Sequence, residues 1–342
     1  MTKFGRLKRT CLITSLLMLP SIAFSNAVIT NGIIKLGIED HGNLVVDDPT
    51  AINTNVPGLT GITYLPSNGE ALAPGCACES WGVADATTSR FGRSGDTSGY
   101  QNVTVESFTS TANSAKSVVV VNDGSDLFRV THAFSPSVSE NLFQVKVTIE
   151  NISGATTHVL YRRAMDWDVP PNVFHELVTL QTGSSSKIIF TSDDGFASGS
   201  PLAGQTSILF TGNAINSGPA DHGALFDFDF GTLAAGSSLN FTIFYGAAAN
   251  QAEATTALAK VGAEAYSFGK PDPASVPAGT PDGGPNTFIF AFAGVGGSQI
   301  FNGGGNGGAT PVPLGGAFWL TATLLGIGFA GRRYYRHQIQ KI

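Results

Sequence analysis

The chain has 342 residues with 42 glycines, 23 phenylalanines, only 13% charged residues and a formal net charge of −6. Eight of the 19 lysines and arginines lie in the two terminal segments and none of the 25 acids does, so the middle carries 11 bases against 25 acids, a charge of −14. That balance argues against nucleic acid or anionic lipid as partners, and it suits solubility outside the cell and weak association with divalent cations.

The first 27 residues read as a signal peptide. Lys3, Arg6, Lys8 and Arg9 form a basic start, residues 11–24 form an apolar run broken by Pro20, and small residues follow at signal-peptidase spacing. The mature chain is expected to begin near Asn26 or Val28; a retained N-terminal anchor is the alternative. Cys11 precedes the apolar run, which does not fit a lipoprotein.

Residues 28–293 read as one all-β domain, a large antiparallel sandwich with one short helix. Runs rich in β-branched and aromatic residues recur at 28–38, 61–65, 103–108, 117–121, 127–134, 142–150, 158–163, 187–191, 206–211, 224–230, 239–245 and 287–292. Phe143, Val145, Val147 and Ile149 alternate with Gln144, Lys146, Thr148 and Glu150. Phe226, Phe228 and Phe230 alternate with Asp227 and Asp229. Strands apolar on one face belong to antiparallel sheets packed face to face. Asn122-Asp123-Gly124 and Asp193-Asp194-Gly195 read as hairpin turns before calcium loops. Asn250 with Glu253 resembles a capping box that opens a helix to about residue 265, packed across a sheet edge or a barrel end. No Pro/Gly linker divides the domain. Residues 294–310, mostly Gly, Asn and Ser, read as a flexible tether.

Pro311-Val312-Pro313 ends that tether, and an uncharged stretch at 314–330 would rise about 25 Å as a helix, near the short end of what crosses a membrane. Arg332, Arg333, Arg336 and Lys341 follow with no acid, a tail that stays cytoplasmic by the positive-inside rule. A buried C-terminal helix is the competing explanation, but a core helix is rarely apolar all round and then abruptly basic.

This three-part tail resembles the PEP-CTERM and VPLPA-CTERM sorting signals of Gram-negative bacteria over residues 311–336. Val312-Pro313-Leu314 matches the opening of the second signal, with Gly315 at its second proline, and Pro311-Val312-Pro313 resembles the first with valine for glutamate. The resemblance implies export through the inner membrane, cleavage by signal peptidase, and reading by an exosortase-type membrane protease at the cell surface, with at least transient anchoring by the helix.

Within the domain, chemistry is sparse. Cys76 and Cys78 sit across one residue, and a local disulfide, free thiols and an intermolecular bond are all open. Tyr161-Arg162-Arg163-Ala164-Met165-Asp166-Trp167-Asp168 is the densest polar and aromatic run, continuing past Pro170-Pro171 to His175-Glu176. Asp166 and Asp168 share a strand face and can hold calcium together with backbone carbonyls, or flank a glycosidic bond. Alternatively Arg162 and Arg163 neutralise them at a strand end. Glu79 and Trp81 repeat the acid-beside-tryptophan theme that lines sugar clefts; Trp81 and Trp167 serve equally well as core anchors. The histidines are isolated, and no nucleophile elbow, phosphate loop or dinucleotide fingerprint is present. The expectation is a non-enzymatic surface or matrix protein, structural, adhesive or polysaccharide-associated, without a cofactor other than calcium. A carbohydrate-binding or carbohydrate-active, mutarotase-like sandwich is the alternative; as an enzyme it would need Asp166, Asp168, His175 or Glu79 in one cleft.

Overall fold

Strict alternation makes strands that can each bury one face, and the chain supplies enough of them for two stacked sheets. A computed structural model describes residues 26–53, 55–95, 99–206 and 208–301. Residues 1–25 of the expected signal peptide and the sorting segment at 311–342 lie outside them; Ala27, placed in the signal peptide from the sequence, instead opens the first strand. Among the described residues no helix is long and apolar enough to cross a membrane.

The larger sheet has nine strands in the spatial order Ala214–Ala220, Glu176–Gln181, Ala265–Pro271, Thr287–Ala293, Ser238–Ala248, Leu142–Asn151, Asp126–Pro136, Ala115–Asn122 and Val103–Ser110. The smaller has five: Ile188–Ser192, His222–Leu233, Thr157–Trp167, Glu79–Asp85 and Arg90–Gly95. Neighbours in both sheets pair antiparallel. A four-stranded sheet formed by Ala27–Thr30, Ile34–Ile38, Ile62–Tyr64 and Gly69–Glu70 adds Ile29, Leu36 and Ile62 to the same core.

The alternating residues do what their spacing requires. Phe143, Val145, Val147 and Ile149 are fully buried while Lys146 is exposed. Phe226 and Phe228 of the smaller sheet meet Phe292 of the larger, each at 4.8 Å between ring centroids, and Tyr161 meets Phe241 at 5.0 Å. Each fully buried phenylalanine contributes about 1.5–3 kcal/mol, so this aromatic seam is what holds the layers together.

The helix, Gln251–Val261, begins as its capping residues dictate. The Asn250 side chain accepts the Glu253 N–H at 3.0 Å and donates back to the Glu253 carboxylate at 3.0 Å. It ends before residue 265 because Gly262 adopts a left-handed φ of 64° and caps the last carbonyls. Leu258, Ala254 and Ala257 pack on the outer face of the larger sheet, over Phe244, Phe268, Ile289 and Ala291, and not at an edge or barrel end. The apolar residues of both parities in Thr287–Ala293 explain this, since Phe288, Phe290 and Phe292 face the sandwich and Ile289 and Ala291 face the helix.

Two segments differ from expectation. Residues 208–211 form only a single bridge, from Thr211 to Ser192, because acid side chains capture the backbone: Thr206 N–H donates to Asp194 at 2.5 Å, and Leu209 and Phe210 N–H donate to Asp193 at 3.0 and 3.1 Å. Asp193-Asp194-Gly195 accordingly opens a long loop in place of a hairpin. The glycine-rich run from residue 294 is not free up to Phe301. The Glu264 carboxylate accepts the N–H groups of Gly294, Val295 and Gly297, and Val295 and Phe301 are buried. Residues 302–310 lie outside the described residues. Gly124, at φ 80°, does turn the hairpin between Ala115–Asn122 and Asp126–Pro136.

Candidate functional site

Two crossovers between the sheets meet at one end of the sandwich, and the acids sit on them. The strand Thr157–Trp167 leaves the smaller sheet, and residues 168–175 carry the chain to Glu176–Gln181 in the larger. The return is shorter: Asp221 alone separates Ala214–Ala220 of the larger sheet from His222–Leu233 of the smaller. Register fixes the meeting, since Asp166 pairs with Gly223 and Glu176 with Ala220. Asp166, Asp168 and Asp221 thereby bring carboxylate oxygens within 4.8 Å of one another, Asp166 and Asp168 buried and Asp221 exposed.

Backbone bonds hold these acids in place. Asp166 N–H donates to the Cys78 carbonyl and Asp168 N–H to the Ala71 carbonyl, both at 2.9 Å. Cys76 and Cys78 form a disulfide, and the Cys76 sulfur lies 4.0 Å from Asp166 Oδ2. The loop after Asp193 covers the outer side, with Gly195 pressed so closely that a Cβ there would fall 2.6 Å from Asp166 Oδ1. Glu176 Oε1 accepts the His222 N–H at 2.6 Å.

The remaining oxygens have nothing to bond. Among the described residues, both Asp168 oxygens, Asp166 Oδ1 and Glu176 Oε2 are buried without a hydrogen-bond partner, although Asp168 and Glu176 are 0% exposed. A buried polar atom left so is costly. The electrostatics agree. Burial, then the charges of Asp168, Asp221 and Asp194, push Asp166 up to about 9. Burial, then Glu176, Asp221 and Glu70, push Asp168 up to about 8. Burial and the charges of Asp166 and Asp221 push Glu176 up to about 8 against its bond from His222. Burial raises Asp221 as well. These are acids gathered together, with the histidines His222 and His175 acting on Asp221 against its burial.

Chemically, the donors are hard oxygens, the set that suits calcium, magnesium or manganese. Donors on opposite sides of a calcium ion, each about 2.3–2.6 Å away, stand roughly 4.6–5.2 Å apart. The observed separations therefore allow a single ion to be shared.

The other sequence candidates fall elsewhere. Arg162 does not neutralise the cluster: its Nε donates to Asp227 at 2.6 Å, and its Nη atoms donate to the Ser198 and Ala203 carbonyls at 3.0 and 3.2 Å. Arg163 points into the sandwich and pairs with Glu79, both fully buried. Glu79 also accepts Leu44 N–H at 2.8 Å and the Tyr245 hydroxyl at 3.1 Å, so it is a core residue and not part of the acid site. Trp81 and Trp167 are core anchors with 0% exposure, donating to the His41 carbonyl at 3.0 Å and to Ser267 at 3.1 Å. Of the expected ligand set, Asp166 and Asp168 come together; Trp167, Glu79 and Trp81 do not join them. Asp221 and the site role of Glu176 were missed. The signal for Asp221 was an acid in a short Gly-Pro-Ala-Asp-His link just before the strand-like run at 224–230.

No family model and no curated protein matches the chain. Among solved structures, it aligns with a candidate aldose 1-epimerase from Escherichia coli K12 at 10% identity and a TM-score of 0.30, over 84% of this chain and 94% of that one. It also aligns with a galactose mutarotase related enzyme from Lactobacillus acidophilus at 11% identity and a TM-score of 0.30, over 79% and 86%. Likeness of that degree assigns no chemistry.

Proposed function

We propose that this chain is an exported cell-surface or extracellular-matrix protein whose sandwich is completed by one hard divalent cation, calcium, held by Asp166, Asp168 and Asp221 with Glu176 beside them. The observation that supports it is the set of buried, unbonded carboxylate oxygens converging on the two crossovers. A dication would supply the charge and the partners these oxygens lack. Its role is structural: it ties the two sheets where the chain passes between them. Export rests on the basic and apolar N-terminus, and surface sorting on the tail at 311–342, read by an exosortase-type protease.

The test is calorimetric titration of calcium into chelator-treated protein, beside the Asp168→Asn variant. One site is expected, with a Kd on the order of 10⁻⁴–10⁻³ M or tighter, as for extracellular modules. Asp168→Asn should weaken it at least about tenfold, as the loss of one charged ligand implies. Equal heats from protein and variant would refute the site.

A carbohydrate-active enzyme is the second reading. It is favoured by Asp166, Asp168 and Glu176 holding protons near neutral pH, as a general acid must. Turnover of an extracellular polysaccharide that survives chelation and disappears in Asp166→Asn would select it over the structural role.

A further inference from the structure

The acid cluster is buried except at Asp221. Asp166, Asp168 and Glu176 are buried, whereas Asp221 is exposed, so an ion held between them would keep part of its coordination sphere toward solvent. Calcium takes six to eight oxygens, more than one oxygen from each of these four carboxylates provides. Whatever fills the open positions must bring oxygen donors from outside.

An aromatic ring stands at the same end. Phe174 is 42% exposed and holds a left-handed φ of 70°, a conformation that a bulky side chain rarely adopts. Its ring lies on Gly75, with Cε1 and Cζ 3.0 and 3.2 Å from where a Cβ on that glycine would be. Gly75 adjoins Cys76, whose sulfur is against Asp166. On the other side of Phe174, His175 is exposed, and the exposed Asp221 brings a carboxylate oxygen within 4.8 Å of one on Asp166. Ring, cation cradle and exposed carboxylate therefore share one rim.

We propose that this rim binds a neutral sugar, two vicinal hydroxyls completing the coordination of the cation and the apolar face of the sugar ring lying on Phe174. The proposal rests on the cation reading and gives it a ligand. A pyranose matches the pair of features, hydroxyl oxygens for a hard ion on one edge and a C–H face for an aromatic ring. A neutral sugar fits better than a uronate, because one dication does not reverse the charge of four surrounding carboxylates, and the domain around them is acidic.

The experiment uses the full-length chain with calcium or chelator, and methyl α-mannoside, methyl β-galactoside and glucuronate as probes, read by saturation-transfer NMR and titration. At least one neutral glycoside should bind with calcium and lose its signal with chelator. Phe174→Ala should weaken that binding about tenfold, the usual loss at an aromatic contact residue, while calcium affinity measured separately is unchanged. Asp221→Asn should weaken calcium and sugar together. Calcium binding with no calcium-dependent glycoside signal would overturn the sugar inference and leave the cation site standing. So would an unchanged affinity in Phe174→Ala, or a preference for glucuronate. Failure of calcium to bind would overturn both.

Discussion

Arg163 and Asp166 are three residues apart on one strand and both are buried, yet they stand in opposite electrostatic situations. Arg163 faces the sandwich, where Glu79 pairs with it, the Gly42 carbonyl accepts its Nη2 at 3.0 Å, and Tyr245 donates to the same carboxylate. Burial works against that guanidinium, and the Glu79 charge overrides it and raises its pKa. Asp166 faces the outer side and meets Asp168, Glu176 and Asp221, and among the described residues the bases that bear on this group are the imidazoles of His222 and His175, acting on Asp221. The first cluster is balanced from within the chain and the second is not. A buried charge that finds its counter-charge in the fold specifies structure; a buried charge that lacks one points to something brought from outside.

The sharpest way to break the comparison is to unbalance the first cluster. Arg163→Met strands the Glu79 carboxylate in the core and should cost about 3–5 kcal/mol in chemical denaturation, whereas the double variant Arg163→Met with Glu79→Leu should recover most of that. In the second cluster a neutralising change works the other way. Asp168→Asn in chelator should leave stability unchanged or raise it, by roughly 1 kcal/mol, since it replaces a buried carboxyl that the fold must keep protonated with a neutral group of the same shape. A loss as large as that of Arg163→Met would show that the acids are balanced in a way the geometry does not reveal.

A smaller effect sharpens the same contrast through pH. Asp166, Asp168 and Glu176 titrate near 8–9 in the fold, above their ordinary values near 4. The folded state therefore binds more protons than the unfolded chain between those limits, and stability falls as pH rises through that window. Metal-free protein should be most stable in mildly acidic solution and melt at progressively lower temperature toward pH 9. Saturating calcium should flatten or reverse this slope. Below pH 4 a different set takes over, because hydrogen bonds hold Asp48 down at about 2 and lower Asp85 and Asp193 despite burial, and that stability is lost on acidification. A melting temperature independent of pH between 5 and 9 in chelator would contradict the acid cluster.

Much of the sandwich was legible because alternation is local: Phe143 to Ile149 announce their faces within one strand. The capping pair Asn250 and Glu253 was legible for the same reason. What could not be read depends on side chains reaching across the sequence. Asp193 and Asp194 dissolve the strand suggested by 206–211, an outcome that no propensity at those residues signals. The site was half legible. Asp166 and Asp168 are two residues apart and announce themselves, while Asp221 reaches them only through the antiparallel pairing of Thr157–Trp167 with His222–Leu233. Glu79 and Trp81 misled because an acid beside a tryptophan looks the same in a cleft and in a core. Their partners, Arg163 and the His41 carbonyl, lie far away in sequence.

The measurement that tests the central claim most directly is a pair of thermal melts at pH 7.5, one in millimolar calcium and one in chelator, on the native sequence and on Asp168→Asn. An ion bound only to the folded state at a hundredfold excess over its Kd adds about 2.7 kcal/mol, a rise of roughly 5 °C for a domain of this size. The account predicts that rise for the native protein and its absence in the variant. Melts that superimpose with and without calcium, or that shift equally in protein and variant, would contradict it.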